Sequence, residues 1–132
     1  MAKAQPKAKT AYELLERVCA VIAAKPTRYN QSDWCTERKC GTAFCRAGWM
    51  VVLHDGPDAA RNAPDIASRA EALLGLTPDE SWPLFSTQQL FAKGTNGLRV
   101  GTPEYVQAGI DGTRAFMAKH EAHLKARKLD GV

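Results

Sequence analysis

Three short stretches, "TAYE" at Thr10 to Glu13, "TPDE" at Thr77 to Glu80 and "TPE" at Thr102 to Glu104, constrain the fold more than anything else in this chain. In each, a threonine stands where its hydroxyl can accept a bond from the free amides of a starting helix. The first two add an acid three residues on, which completes a capping box, and the last two place proline in the first helical position.

Apolar residues after each cap repeat at helical spacing. Beyond Thr10, Leu14, Leu15, Val18, Val21 and Ile22 form one apolar face, and the helix is expected to run to about Lys25, where Pro26 stops it. Beyond Thr102, Val106, Ile110, Thr113, Met117, His120 and Leu124 step by threes and fours with Phe116 beside them, which predicts one long helix to about Lys128. Between these, "PDIASRAEALLG" carries Pro64 near a first turn, Ile66, Ala70, Leu73 and Leu74 facing inward, and Gly75 as a left-handed stop. A short helix after Thr77 brings Leu84 and Phe85, with Pro83 expected to interrupt it or delay its start.

The remaining segments are less regular. Pro26 to Gly41 reads as an ordered loop, with a turn of helix around Ser32 to Cys35 and Trp34 pinning it to the core. Thr42 is then expected to cap a second helix, from Ala43 to about His54, closed by "DGP". That helix is apolar nearly all round, so it belongs at the centre, where Ala47 and Gly48 let a neighbour approach closely. Glycines and an asparagine between Lys93 and Thr102 mark a long loop, with a turn of helix near Gln88 to Phe91 and no strand claimed at Leu98 to Val100. The resulting fold class is all-α, a compact single-domain bundle of about five helices with a long C-terminal helix.

A chain of 132 residues is long enough to bury a single core without a disulfide or metal. Residues 1–9 are expected to be a flexible basic tail, 10–128 the helical domain, and 129–132 a C-terminal tail. With 45% apolar and 24% charged residues, the composition is that of a globular protein. No apolar run suits a secretory signal or a membrane span, so the expected location is the cytoplasm, where cysteines serve as thiols or metal ligands before disulfides. The net charge of +4 is uneven. Lys3, Lys7 and Lys9 lead, and Arg114, Lys119, Lys125, Arg127 and Lys128 close the chain, around a middle with Asp55, Asp58, Asp65, Glu71, Asp79 and Glu80. Such ends steer an acidic partner, or are simply solvated helix ends, the reading favoured here.

The stretch "DWCTERKCGTAFCRAGWMVVL", Asp33 to Leu53, holds three of the four cysteines at equal spacing. Four readings stand side by side. Zinc on Cys35, Cys40 and Cys45 needs a fourth ligand, and His54 would lie about 13 Å up the helix from Cys45, leaving His120 or His123. A reactive thiol at Cys45 fits an N3 position behind a Thr42 cap, with Arg46 adding a cation, but no base stands nearby in sequence. A disulfide between Cys40 and Cys45 is within geometric reach. The favoured reading is packing: Cys45 is a small buried hydrophobe, Cys40 fills the turn before Gly41, Gly41 supplies an unusual dihedral and Thr42 the cap, with Cys19 a core residue likewise.

At "CGTAFCRAGW" the chain resembles a family of small, uncharacterised bacterial and phage proteins marked by C-G-T-x-x-C-x-A-G-[WH]. The resemblance covers about Tyr12 to Leu124, including "ALLGLTPDESWPLF" and the "TPE" cap, and leaves Cys35 outside the motif. It implies helices on both sides of the motif, a shared structural set of Cys40, Gly41, Thr42, Cys45, Ala47, Gly48 and Trp49, and a phage or mobile-element setting. It brings no activity with it.

Other chemistry is weakly supported. His120 and His123 sit one turn apart and can share a metal in bundles, but nothing else in "KHEAHLK" supports that, and a solvated basic helix is the favoured reading. No phosphate-binding glycine loop and no serine–histidine–acid pattern is present. Nucleic-acid binding is the alternative, through the N-terminal tail, Arg28, Tyr29, Arg38 and Lys39 in the loop, and Arg114, Lys119, Lys125, Arg127 and Lys128. The acidic middle opposes it, and no recognition helix is evident. The expectation is a non-enzymatic protein that docks on a host protein, with no cofactor, metal or membrane. Trp82 and Phe91 are read as core residues before docking anchors.

Overall fold

The computed structural model describes residues 7–25, 35–38, 41–62, 65–85 and 102–129. Within them are seven helices and one antiparallel strand pair: α1 Ala11–Ala24, β1 Cys35–Arg38, β2 Gly41–Phe44, α2 Arg46–Asp55, α3 Pro57–Asn62, α4 Ile66–Leu74, α5 Pro78–Phe85, α6 Pro103–Lys119 and α7 Glu121–Ala126. The all-α expectation holds, with a small hairpin added.

The threonine caps form as their chemistry dictates. Thr10 Oγ1 accepts from the amide of Glu13 at 3.2 Å, while the Glu13 carboxylate accepts from Lys9 N–H at 3.3 Å, one residue outside the usual box. Thr77 and Glu80 make the reciprocal pair, at 3.0 and 3.1 Å, and Thr102 accepts from Tyr105 N–H at 3.3 Å. Gly75 closes α4 at φ 67°, left-handed backbone that glycine adopts without steric cost.

Three expectations are corrected and one short helix is added. Thr42 is not a helix cap: it lies in β2, opposite Glu37, and the chain stays extended until Cys45. The reason is local, since Thr36, Thr42 and Phe44 favour strand and the backbone amides find partners across the hairpin. Pro83 sits inside α5 without ending it. A short helix, α3, follows Gly56, with Ala60 buried. The long C-terminal helix is broken at His120 (φ −115°, ψ 24°), whose N–H still bonds Phe116 O and whose carbonyl begins α7 by accepting from Leu124 N–H. The His120 ring lies 4.8 Å from that of Phe116.

The helix around Trp49 is central, as its apolar circumference requires: α2 packs on α1, α3, α4 and α5. Helix α1 also packs on α6 and α7, and α5 on α4 and α6. Leu14, Leu15, Val18 and Ile22 of α1 meet Met50 and Val51 of α2, Leu73 and Leu74 of α4, Leu84 of α5, and Tyr105, Phe116 and Met117 of α6 in one core. The folded unit is wider than 10–128. Ala8 and Leu129 are buried, and Leu129 N–H bonds Lys9 O while Ala11 N–H bonds Arg127 O, so the two ends clasp each other.

Candidate functional site

The cysteine stretch builds a helix start with unusual parts. Cys45 is the N-cap of α2, not its third residue, and its Sγ accepts from Gly48 N–H at 3.3 Å. At 1% exposure it is sealed in the core. Burial pushes the thiol up to about 11, and the amides of Gly48 and Ala47 with the Arg46 charge offset only part of that. At neutral pH Cys45 is therefore a protonated thiol, unlike the activated thiolate expected for an N3 cysteine. Cys19 is likewise a free buried thiol, raised by desolvation.

Arg46, the next residue, is wholly buried. Its Nη1 reaches Thr113 Oγ1 at 3.4 Å and Gly109 O at 3.5 Å on α6, and Thr113 Oγ1 donates to Gly109 O at 2.7 Å. A cation at the head of α2 thus ties it to the middle of α6. The signal in the sequence is Thr113, a hydroxyl between the apolar Ile110 and Met117 on the same face, which calls for a buried partner. Ala47, Gly48 and Trp49 are all buried, as their place in the motif suggests.

At the other end of α2 a second polar cluster forms. Buried His54 places Nδ1 2.7 Å from Asp55 Oδ1, and Arg69 of α4 grips the same carboxylate with Nε and Nη2 at 2.6 and 2.8 Å. The Arg69 bonds hold the Asp55 carboxyl down at about 2, against the opposing effect of burial. Both ends of the central helix are therefore bolted to neighbours by arginine.

Of the three cysteines in this stretch, Cys45 is the one whose side chain is described. Cys35 opens β1 opposite Phe44, Arg38 stands opposite Gly41, and Cys40, Arg28, Tyr29, Lys39, Trp34, Pro64 and Phe91 lie outside the described residues. Among the described residues, no group of three or more His, Cys, Asp or Glu side chains is placed to hold a metal ion. No described helix is long and apolar enough to cross a membrane.

The basic C-terminal residues separate into two groups. Arg127 is folded inward: Nη2 donates to Ala72 O at 2.6 Å and Nε to Leu73 O at 3.4 Å, at the carbonyl end of α4. His123 Nε2 lies 2.9 Å from Leu74 O on the same helix end. Lys125 pairs with Glu121 at 3.6 Å and rests 4.9 Å from the centre of the Tyr12 ring. Arg114, Lys119 and Lys128 of the predicted set stand exposed.

Helix α5 has an inward and an outward face. Ser81 and Leu84 are buried, while Pro78, Asp79 and Trp82 are exposed, one turn apart on the opposite side. Trp82 is 58% exposed and is the one large exposed hydrophobic residue among those described. This corrects its reading as a core residue: the inward register of α5 is set by Ser81 and Leu84, which leaves the indole outside.

Against family models, curated proteins and solved structures, the chain finds no match.

Proposed function

We propose that this protein acts by binding, and that it docks on another protein through the outward face of α5. The observation that carries the reading is Trp82. An indole costs free energy when left in water, and the same helix buries Leu84 fully. Tryptophan, with tyrosine and arginine, is enriched among the few residues that carry most of the energy of protein–protein contacts. The setting we propose is a phage or mobile element with a bacterial host protein as partner, on the strength of the "CGTAFCRAGW" resemblance. Binding rather than catalysis suits a motif cysteine that is sealed and protonated.

Nucleic-acid binding ranks lower, because Arg127 is already spent on the carbonyls that end α4. The test is capture of partners from host lysate by the wild-type protein and by Trp82→Ser, with circular dichroism confirming that both fold alike. A protein retained by the first and released by the second supports the proposal. Equal capture by both, or none by either, removes it.

A further inference from the structure

We infer that the partner segment received by α5 is basic, with an arginine or lysine lying over the Trp82 indole and its charge met by Asp79. The inference rests on the docking reading and adds the chemistry of what docks. Asp79 precedes Trp82 by three residues, so the two side chains rise from one face of the helix about 5–6 Å apart at Cβ. Both are exposed, and Asp79 takes part in no ion pair or hydrogen bond among the described residues.

The other carboxylate at this end of α5 is accounted for. Glu80 accepts from Thr77 N–H and its own N–H donates to Thr77 Oγ1, so it is held in the capping box. Asp79 is thus the carboxylate left for a partner's cation. A planar cation over an indole with a carboxylate at its edge combines cation–π attraction with an ion pair, and guanidinium suits both. An acidic or purely apolar segment would leave Asp79 desolvated against nothing, an unfavourable way to cover Trp82.

The experiment uses the full chain and two synthetic twelve-residue peptides of equal apolar content, one with three arginines and one with three glutamates. The readouts are the Trp82 indole resonance and the dissociation constant by fluorescence titration. The arginine peptide is expected to shift that resonance, to bind about tenfold more weakly to Asp79→Asn, and to lose binding to Trp82→Ser. Equal response to both peptides, or an Asp79→Asn affinity equal to wild type, overturns the inference. If a captured host protein still needs Trp82 while Asp79→Asn binds it undiminished, the docking reading survives and the charge inference alone fails. A concentration-dependent dimer in sedimentation that Trp82→Ser abolishes also overturns it, by naming a second copy as the occupant.

Discussion

The outward face of α5 and the C-terminal segment from His120 to Leu129 look alike in the sequence, each a run of polar residues with an aromatic or basic group that calls for a partner. In the fold they differ. The C-terminal segment satisfies itself: Arg127 and His123 close the open carbonyls of α4, Lys125 covers Tyr12, and Arg127 and Leu129 join the chain ends by backbone bonds. Helix α5 buries Ser81 and Leu84 on its inner face and leaves Asp79 and Trp82 outside. Cations are drawn to helix C-termini, where free carbonyls and the negative dipole end gather, so basic residues are readily absorbed by a bundle. An indole on the wrong side of a short helix is not.

Four measurements sharpen or break that contrast. The largest effect is expected on the inner face of α5, where Leu84→Ala should cost about 3 kcal/mol in denaturant unfolding, since the side chain is fully buried. A loss under about 1 kcal/mol would mean that α5 is loosely docked. Next, Arg127→Ala removes two charge-assisted bonds to α4 carbonyls and should cost roughly 1–2 kcal/mol. A neutral result would return Arg127 to the set of candidate nucleic-acid contacts. Gly75→Ala strains the same clasp from the other side, because a Cβ there would meet Arg127 Nε at 2.8 Å on a left-handed backbone.

The third prediction concerns the Asp55 bolt. Its carboxyl is held down at about 2 when folded and titrates near the ordinary value of about 4 when unfolded. Its contribution is therefore present above about pH 4 and is lost as pH falls toward 2. After allowance for solvent screening it amounts to about 1 kcal/mol. The acid-side loss of stability between those pH values should shrink in Asp55→Asn, and an unchanged slope would argue against the Arg69 grip. The smallest effect is expected on the outer face of α5: Trp82→Ser should leave stability within about 0.5 kcal/mol of wild type. A large loss there would show that the indole is structural and would remove the basis of the docking proposal.

Much of this architecture is legible in the chain because helix caps are local. Thr10, Thr77, Thr102 and Gly75 act on amides and carbonyls within a few residues, so their roles can be read without knowing the fold. The apolar faces of α1, α4 and α6 come from spacing alone. The motif cysteine is legible in part: Cys45 is buried, as a small apolar side chain in "CGTAFCRAGW" should be, but it caps the helix where the sequence predicts a place inside the first turn. The difference comes from Thr42, which can cap a helix or extend a strand; pairing with Cys35–Arg38, two residues back along the chain, decides the matter, and reading Pro26 to Gly41 as a loop left that partner strand out.

Local chemistry is thus enough to say where most helices begin and which of their faces turn inward, because capping and periodicity are set within a turn or two of chain. Tertiary structure alone decides the rest. It breaks the last helix at His120, where α7 packs on α1, and sets Arg46 against Thr113 and Arg69 against Asp55. It also leaves Trp82 in water. Each of these turns on which surface lies opposite, a property of neighbours distant in the chain that no local pattern carries.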